Sequence, residues 1–149
     1  MSSFEEWQNW ENSKVAFLPI KPVYAERLLA GTKHFEYRRR PMSADVTHIV
    51  VYASSPAKRI VGIVKVSEVQ SGSVRSVWNR TKEVAGITRA DYFEYFAGSD
   101  TAYAIAIDPS KTVRFDRHIA PAEIEKNFVV PQSFRYVDSS FMKALLAHS

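Results

Sequence analysis

Along this 149-residue chain the apolar positions switch between a period of two and a period near 3.6, and the switches delimit its elements. Residues 15–20 read as a strand ending at Pro19, after which Lys21-Pro22 opens a helix with proline in its first turn. Tyr24, Ala25, Leu28 and Leu29 give that helix one apolar face, and Gly31 stops it. Period two takes over in residues 33–40. There Phe35 and Tyr37 share a face expected to point inward, and His34, Glu36, Arg38 and Arg40 share the other. Pro41 ends this ladder. Residues 47–53 and 59–69 are β-branched runs with apolar side chains on both faces, as strands inside a barrel have, and Gly62 marks a bend or bulge.

The second half returns to helical spacing. Residues 73–85 place Val74, Val77, Trp78, Thr81 and Val84 on one face and stop at Gly86. Thr88 and Asp91 form a capping pair ahead of Tyr92, Phe93 and Phe96, with Gly98 closing the helix. Residues 101–107 alternate as a strand that continues at 112–115 after an Asp108-Pro109-Ser110 turn. A short helix follows Pro121, a strand covers 133–137, and a terminal helix contains Phe141, Leu145 and Leu146. Phe4, Trp7 and Trp10 have helix-like spacing, which predicts a short helix docked on the domain's own core. There is no internal repeat, and most strands are too close in sequence for βαβ crossovers. The pattern predicts an α+β mixed barrel with flanking helices: one domain over residues 15–149 and an N-terminal extension over 1–14.

Composition narrows the classes. With 46% hydrophobic residues the chain can build a core and fold alone. It has no cysteine, which removes disulfides, thiolate zinc sites and a cysteine nucleophile, and suits a reducing cytoplasm. The acidic N-terminus lacks a signal-peptide pattern, and no apolar run is long enough to span a bilayer. Twenty Lys and Arg against sixteen acids leave a formal charge of +4, which permits attraction to phosphate without requiring it.

Candidate chemistry gathers in three places. Residues 31–40 hold Lys33, Arg38, Arg39 and Arg40 with His34 and Glu36 between them. Arg38 and Arg40 can fork onto phosphate, with Lys21 nearby in sequence, while Glu36 can orient Lys33, accept a base amino group or act as a base. The alternative for this segment is a solvated edge strand with a Glu-Arg ion pair. In residues 52–58, Ser54 and Ser55 suit phosphate or ribose contacts, Tyr52 can stack on a base or give a proton, and Lys58 can offset phosphorane charge. The third place is residues 132–136, where Gln132, Ser133 and Arg135 can hydrogen-bond a ligand. The histidines at 34, 48, 118 and 148 form no telling pair, and no transition-metal cage is visible. A divalent cation, Mg²⁺ or Mn²⁺, could bridge phosphate to Glu36 or Asp45.

Three groups of motifs resemble the ASCH family of the PUA-like superfamily. They are Leu18 to Ala25 followed by Gly31 to Arg40; Val51 to Lys58 with Ile60-Val61-Gly62; and Gly86-Ile87, Tyr92 to Phe96 and Pro131 to Tyr136. The resemblance covers residues 15–137. It implies a PUA-like barrel with a cleft beside the first helix, and RNA or a modified nucleoside as partner. It leaves three functions open: ribonuclease, hydrolase of the acetyl amide of N4-acetylcytidine, and non-catalytic RNA or modified-base binding. As a ribonuclease the chain would use Tyr52, Lys58 and Ser133 together, with Lys58 stabilising charge, Tyr52 or Lys58 exchanging protons, and Ser133 holding the phosphate or the 2′-hydroxyl. As an amidohydrolase it would use Lys33, which matches a catalytic lysine in a Gly-x-Lys turn. The small relatives carry Thr where this chain has Glu36, and Glu83 is the candidate for their catalytic Glu.

Overall fold

The computed structural model describes residues 13–149, so the aromatic stripe at Phe4, Trp7 and Trp10 lies outside the described residues. Six strands form one sheet: β1 (Val15–Ile20), β2 (Phe35–Arg38), β3 (His48–Ala53), β4 (Arg59–Ser73), β5 (Thr101–Ile119) and β6 (Arg135–Val137), in the order β2-β5-β4-β3-β1-β6. β1 and β3 run parallel, and the other neighbours are antiparallel. Among the described residues five helices flank the sheet: α1 (Pro22–Ala30), α2 (Val74–Thr81), α3 (Arg89–Tyr95), α4 (Pro121–Ile124) and α5 (Ser139–His148).

The expected barrel is not closed, because the edge strands β2 and β6 do not pair. In a flat sheet two edges five strand spacings apart would be separated by roughly 24 Å. Here one side chain bridges them: Arg38 on β2 donates from Nη2 to the Ser133 carbonyl at 2.8 Å, two residues before β6. The sheet is therefore curled into an incomplete barrel. Register shifts between β4 and β5 at Ile60/Gly62, Ile63/Lys65 and Val66/Glu68 supply bulges, which increase local twist. The Asp108-Pro109-Ser110 turn lies inside β5. Its chemistry is as read, since the Asp108 carboxylate accepts from Ser110 N and Oγ, but it makes a bulge: the step from Asp108 to Val113 is matched on β4 by only Lys65 to Ile63.

Three apolar clusters explain why so many strand residues are buried on both faces. On the inner face Leu18, Ile20, Ile49, Val51, Val64 and Ile105 pack against Ala25, Leu28 and Leu29 of α1. On the outer face Phe17, Val50, Ile60, Ile63 and Ile119 pack against Phe141, Met142 and Leu145 of α5. Burying each of these larger side chains contributes about 1.5–3 kcal/mol. Tyr37, Val77, Trp78, Tyr92 and Phe96 make the third cluster beneath α2 and α3. This cluster reverses one expectation. Phe35 and Tyr37 turn toward α2 and α3, with Tyr37 Oη donating to Thr81 Oγ1 at 2.7 Å, because the aromatic partners lie there. Glu36, paired in register with Ile105, takes the inner face instead.

Candidate functional site

The site begins at the end of α1. Gly31 caps this helix in the left-handed region, and the chain reverses so that Lys33 N bonds back to the Arg27 carbonyl. Three successive carbonyls of the facing segment then accept hydrogen bonds from this turn. His34 N donates to Val84, Lys33 Nζ to Ala85 and Arg27 Nη1 to Gly86, each at 2.9 Å. Gly86 has φ +65°, and a Cβ there would lie 2.3 Å from Lys33 Cβ, so only glycine allows the two segments to meet this closely.

Lys33 is 2% exposed, and its ammonium lies 5.1 Å from the Tyr24 ring centroid and 4.8 Å from that of Tyr37. Burial pushes its pKa from 10.5 to about 8; the Glu36 carboxylate pulls it back up and Arg27 adds to the depression. Glu36, 6% exposed, accepts from Arg38 Nη1 through Oε2 at 3.2 Å. Oε1 has no hydrogen-bond partner among the described residues.

These groups line a cleft of about 550 Å³ between the end of β1, α1, β2 and α3. Lys21, Arg38 and Arg39 bring positive charge, Asp91 and Glu94 on α3 oppose them, and Tyr24, Tyr37 and Tyr95 supply aromatic surface. The Arg39 guanidinium lies over the Tyr95 ring at 4.9 Å. Such a cleft can hold a planar heterocycle against tyrosine while its polar edge meets Glu36, Lys33 and Arg38, with anionic groups directed toward Lys21 and Arg39.

The sequence candidates divide. Lys21, Lys33, Glu36 and Arg38 line the cleft, and Gln132 joins them. The Arg38 fork is already engaged by Glu36 and Ser133, so it does not stand free for phosphate. Ser133 reaches the cleft's edge through that guanidinium, and the β1–β6 register carried on from Phe17 and Arg135 brings it opposite Pro19.

Tyr52 pairs with Pro19 from the other side, is 6% exposed, and packs on Phe17 with ring centroids 5.3 Å apart. Burial raises its phenol pKa, and its hydroxyl has no hydrogen-bond partner among the described residues. Ser54 N donates to the Ile20 carbonyl, fixing the β3–β4 loop beside the cleft mouth. Ser55 and Lys58 on that loop are exposed, Lys58 with φ +53°. Tyr52, Ser54, Ser55 and Lys58 thus share the same end of the sheet as the cleft without lining it. Arg40 is exposed and outside the cleft, and Arg135 turns to Glu125 and the Phe128 ring.

Other candidates have structural partners. His34 Nε2 meets the Gly31 carbonyl, and buried His48, its pKa lowered to about 4 chiefly by desolvation, sits beside Thr47. Glu83 is exposed on the 3-10 turn after α2 and does not line the cleft. Of the two carboxylates read as alternative partners for a phosphate-bridging cation, Glu36 faces Arg38 inside the cleft and Asp45 is exposed beside Ser43 and Lys14. Among the described residues no group of three or more His, Cys, Asp or Glu is placed to hold a metal. Sequence reasoning missed Tyr24, Tyr37, Asp91, Glu94 and Tyr95 as cleft residues, because their spacing also fits helix and core faces.

The sequence model of the ASCH domain matches residues 18–112. The chain belongs to the ASCH domain family. An ASCH domain-containing ribonuclease of Zymomonas mobilis subsp. mobilis is 30% identical over 125 residues, covering 83% of this chain and 84% of the relative. A stretch of the large ribosomal subunit protein uL22 of Ureaplasma parvum is 26% identical over 101 residues, 68% of this chain and 31% of that protein. The crystal structure of the Z. mobilis ASCH protein superposes with a TM-score of 0.79 at 27% identity, covering 90% of this chain and 94% of that one. A serine-to-alanine mutant of the same protein gives 0.81 at 26% identity over 92% and 97%. The ASCH fold accounts for the α+β architecture found here, an incomplete PUA-like barrel with flanking helices. Among the described residues no helix is long and apolar enough to cross a membrane.

Proposed function

We propose that this protein binds single-stranded RNA across the end of its sheet and cleaves the phosphodiester backbone. The observation that carries the reading is the basic-mouthed, tyrosine-walled cleft beside the β3–β4 loop, on a chain 30% identical to an ASCH ribonuclease. One nucleoside occupies the cleft, its base against tyrosine and its edge on Glu36, Lys33 and Arg38. The adjoining phosphate passes Lys21 toward Ser54, Ser55, Lys58 and Ser133, where cations and small hydroxyl groups suit it.

Cleavage by this arrangement needs only the RNA's own 2′-hydroxyl. Its oxygen attacks the neighbouring phosphorus, the bond to the 5′-oxygen breaks, and 2′,3′-cyclic phosphate and 5′-hydroxyl ends result. Lys33, near pH 8 the amine able to exchange a proton, takes the 2′ proton. Tyr52, whose raised pKa keeps its proton in place, supplies one to the leaving oxygen, while Lys58 offsets charge on the phosphorane and Ser133 holds the phosphate. No step is assigned to Mg²⁺ or Mn²⁺. The absence of cysteine fits a cytoplasmic protein in which residues 15–149 act as one unit.

The test is cleavage of end-labelled single-stranded RNA by purified protein. Loss of cleavage in Lys58→Ala supports the assignment, and unchanged cleavage in that variant points to a contaminating nuclease. One observation favours a second reading. The buried Lys33 amine is partly neutral near pH 8 and could attack the acetyl carbonyl of N4-acetylcytidine. On that reading Lys33→Ala abolishes cytidine release while RNA stays intact.

A further inference from the structure

Residues 125–134, between α4 and β6, carry neither helix nor strand, yet they deliver Gln132 to the cleft and Ser133 to its edge. Arg38 grips this segment. Its Nη2 donates to the Ser133 carbonyl at 2.8 Å and approaches Ser133 Oγ at 3.4 Å, while Nη1 donates to Glu36 Oε2 at 3.2 Å. Glu36 and Arg38 lie on one inner-facing strand, so their spacing is set by the β2–β5 ladder, whose register is Glu36 with Ile105 and Arg38 with Tyr103. Ser133 belongs to the opposite edge of the sheet, which the guanidinium alone spans from β2 among the hydrogen bonds of the described residues.

We propose that Arg38 is a positioning residue that couples the nucleobase cleft to Ser133. The inference rests on the ribonuclease reading for its catalytic consequence, but the clamp itself follows from the hydrogen bonds. A base whose polar edge meets Glu36 Oε1 settles the carboxylate, the carboxylate fixes the guanidinium, and the guanidinium holds Ser133 over the phosphate. Only arginine serves both ends, because its planar fork presents two nitrogens in fixed relation, whereas a lysine ammonium is a single point of contact. An RNA whose cleft base is missing would thus lose rate as well as affinity.

Two variants and two measurements test this. Arg38→Met keeps the apolar stem and removes both donors; Arg38→Lys keeps charge with one contact. Thermal unfolding of both variants controls for folding. With labelled single-stranded RNA, Arg38→Met is expected to lower kcat about 100-fold, the loss that a misplacement of about 1 Å produces. KM should move by much less than kcat, since Glu36, Lys33 and the tyrosine walls still bind the base. Ser133→Ala should add little in the Arg38→Met background, and Arg38→Lys should not restore kcat. Independently, hydrogen exchange at the β6 amides of residues 135–137, which begin two residues after Ser133 and pair with β1, should accelerate in Arg38→Met while strands β3 and β4 stay protected.

Unchanged exchange at 135–137 overturns the clamp. Fully multiplicative effects of Arg38→Met and Ser133→Ala overturn the coupling. If Ser133→Ala alone cleaves like the wild type, the ribonuclease role of Ser133 is what fails, and the catalytic half of this proposal with it; the exchange result then still decides whether the clamp exists.

Discussion

Replacing Lys33 by methionine should remove a pH dependence of stability that belongs to one buried amine. The ammonium sits 2% exposed between two tyrosine rings with the Ala85 carbonyl as its acceptor, and its pKa falls from 10.5 to about 8. Below pH 8 the amine is charged in both folded and unfolded chains, and holding it inside costs about 3 kcal/mol relative to water. Between 8 and 10.5 the unfolded chain keeps a proton the folded one has released, so stability rises with pH through that window.

From pH 7 to pH 9.5 this recovers about 2 kcal/mol, or about 4–8 °C in Tm for a domain of this size. Methionine fills similar volume but leaves the Ala85 carbonyl without its donor, costing about 1 kcal/mol at every pH. The difference in stability between wild type and Lys33→Met cancels every other titration, including those of Tyr37 and Tyr92, whose phenols burial pushes up to about 12. Paired urea or thermal unfolding across this range is the assay. The wild type should gain on the variant by about 2 kcal/mol. A difference that stays flat within about 0.5 kcal/mol would show that the amine is not depressed and would remove the basis for its acid-base role.

Three further outcomes follow from the same geometry. Gly86→Ala forces an L-residue to φ +65° with its Cβ inside the Lys33 side chain, and urea unfolding should show a loss of about 2–5 kcal/mol. Tyr52→Phe removes a hydroxyl with no hydrogen-bond partner among the described residues, so its Tm should stay near the wild-type value while RNA cleavage falls by about 100-fold or more in single-turnover kinetics. Lys21→Ala, at the cleft mouth, should weaken RNA binding across sequences and flatten the slope of log K against log salt by about 0.7, measured by fluorescence anisotropy.

Local chemistry was legible in the sequence where it acts locally. Pro22 and Gly31 bounded α1, Thr88 accepts from Asp91 N as its capping pattern predicts, and the β-branched runs became strands buried on both faces. The misreadings come from partners distant in sequence. Phe35 and Tyr37 alternate as expected, but which face is inner depends on where α2 and α3 pack, and no periodicity carries that. Closure of the barrel depends on whether β2 meets β6, which short-range pattern cannot express.

At the site, the charge density of residues 33–38 pointed to the cleft, but it gave no sign that Lys33 would be buried or Arg38 doubly engaged. Tyr24, Tyr95, Asp91 and Glu94 line the cleft as members of two helices whose spacing reads equally well as core face and solvated face. Tyr52 and Lys58 reach the same end of the sheet because β1 and β3 are parallel, a relation between strands separated by a helix and another strand.

The most direct test of the account is mass analysis of products after the purified protein meets single-stranded RNA and, separately, N4-acetylcytidine. The account predicts RNA fragments with 2′,3′-cyclic phosphate and 5′-hydroxyl ends, absent with Tyr52→Phe and Lys58→Ala, and unchanged acetylcytidine. Intact RNA alongside released cytidine would contradict it and move the chemistry to Lys33 alone.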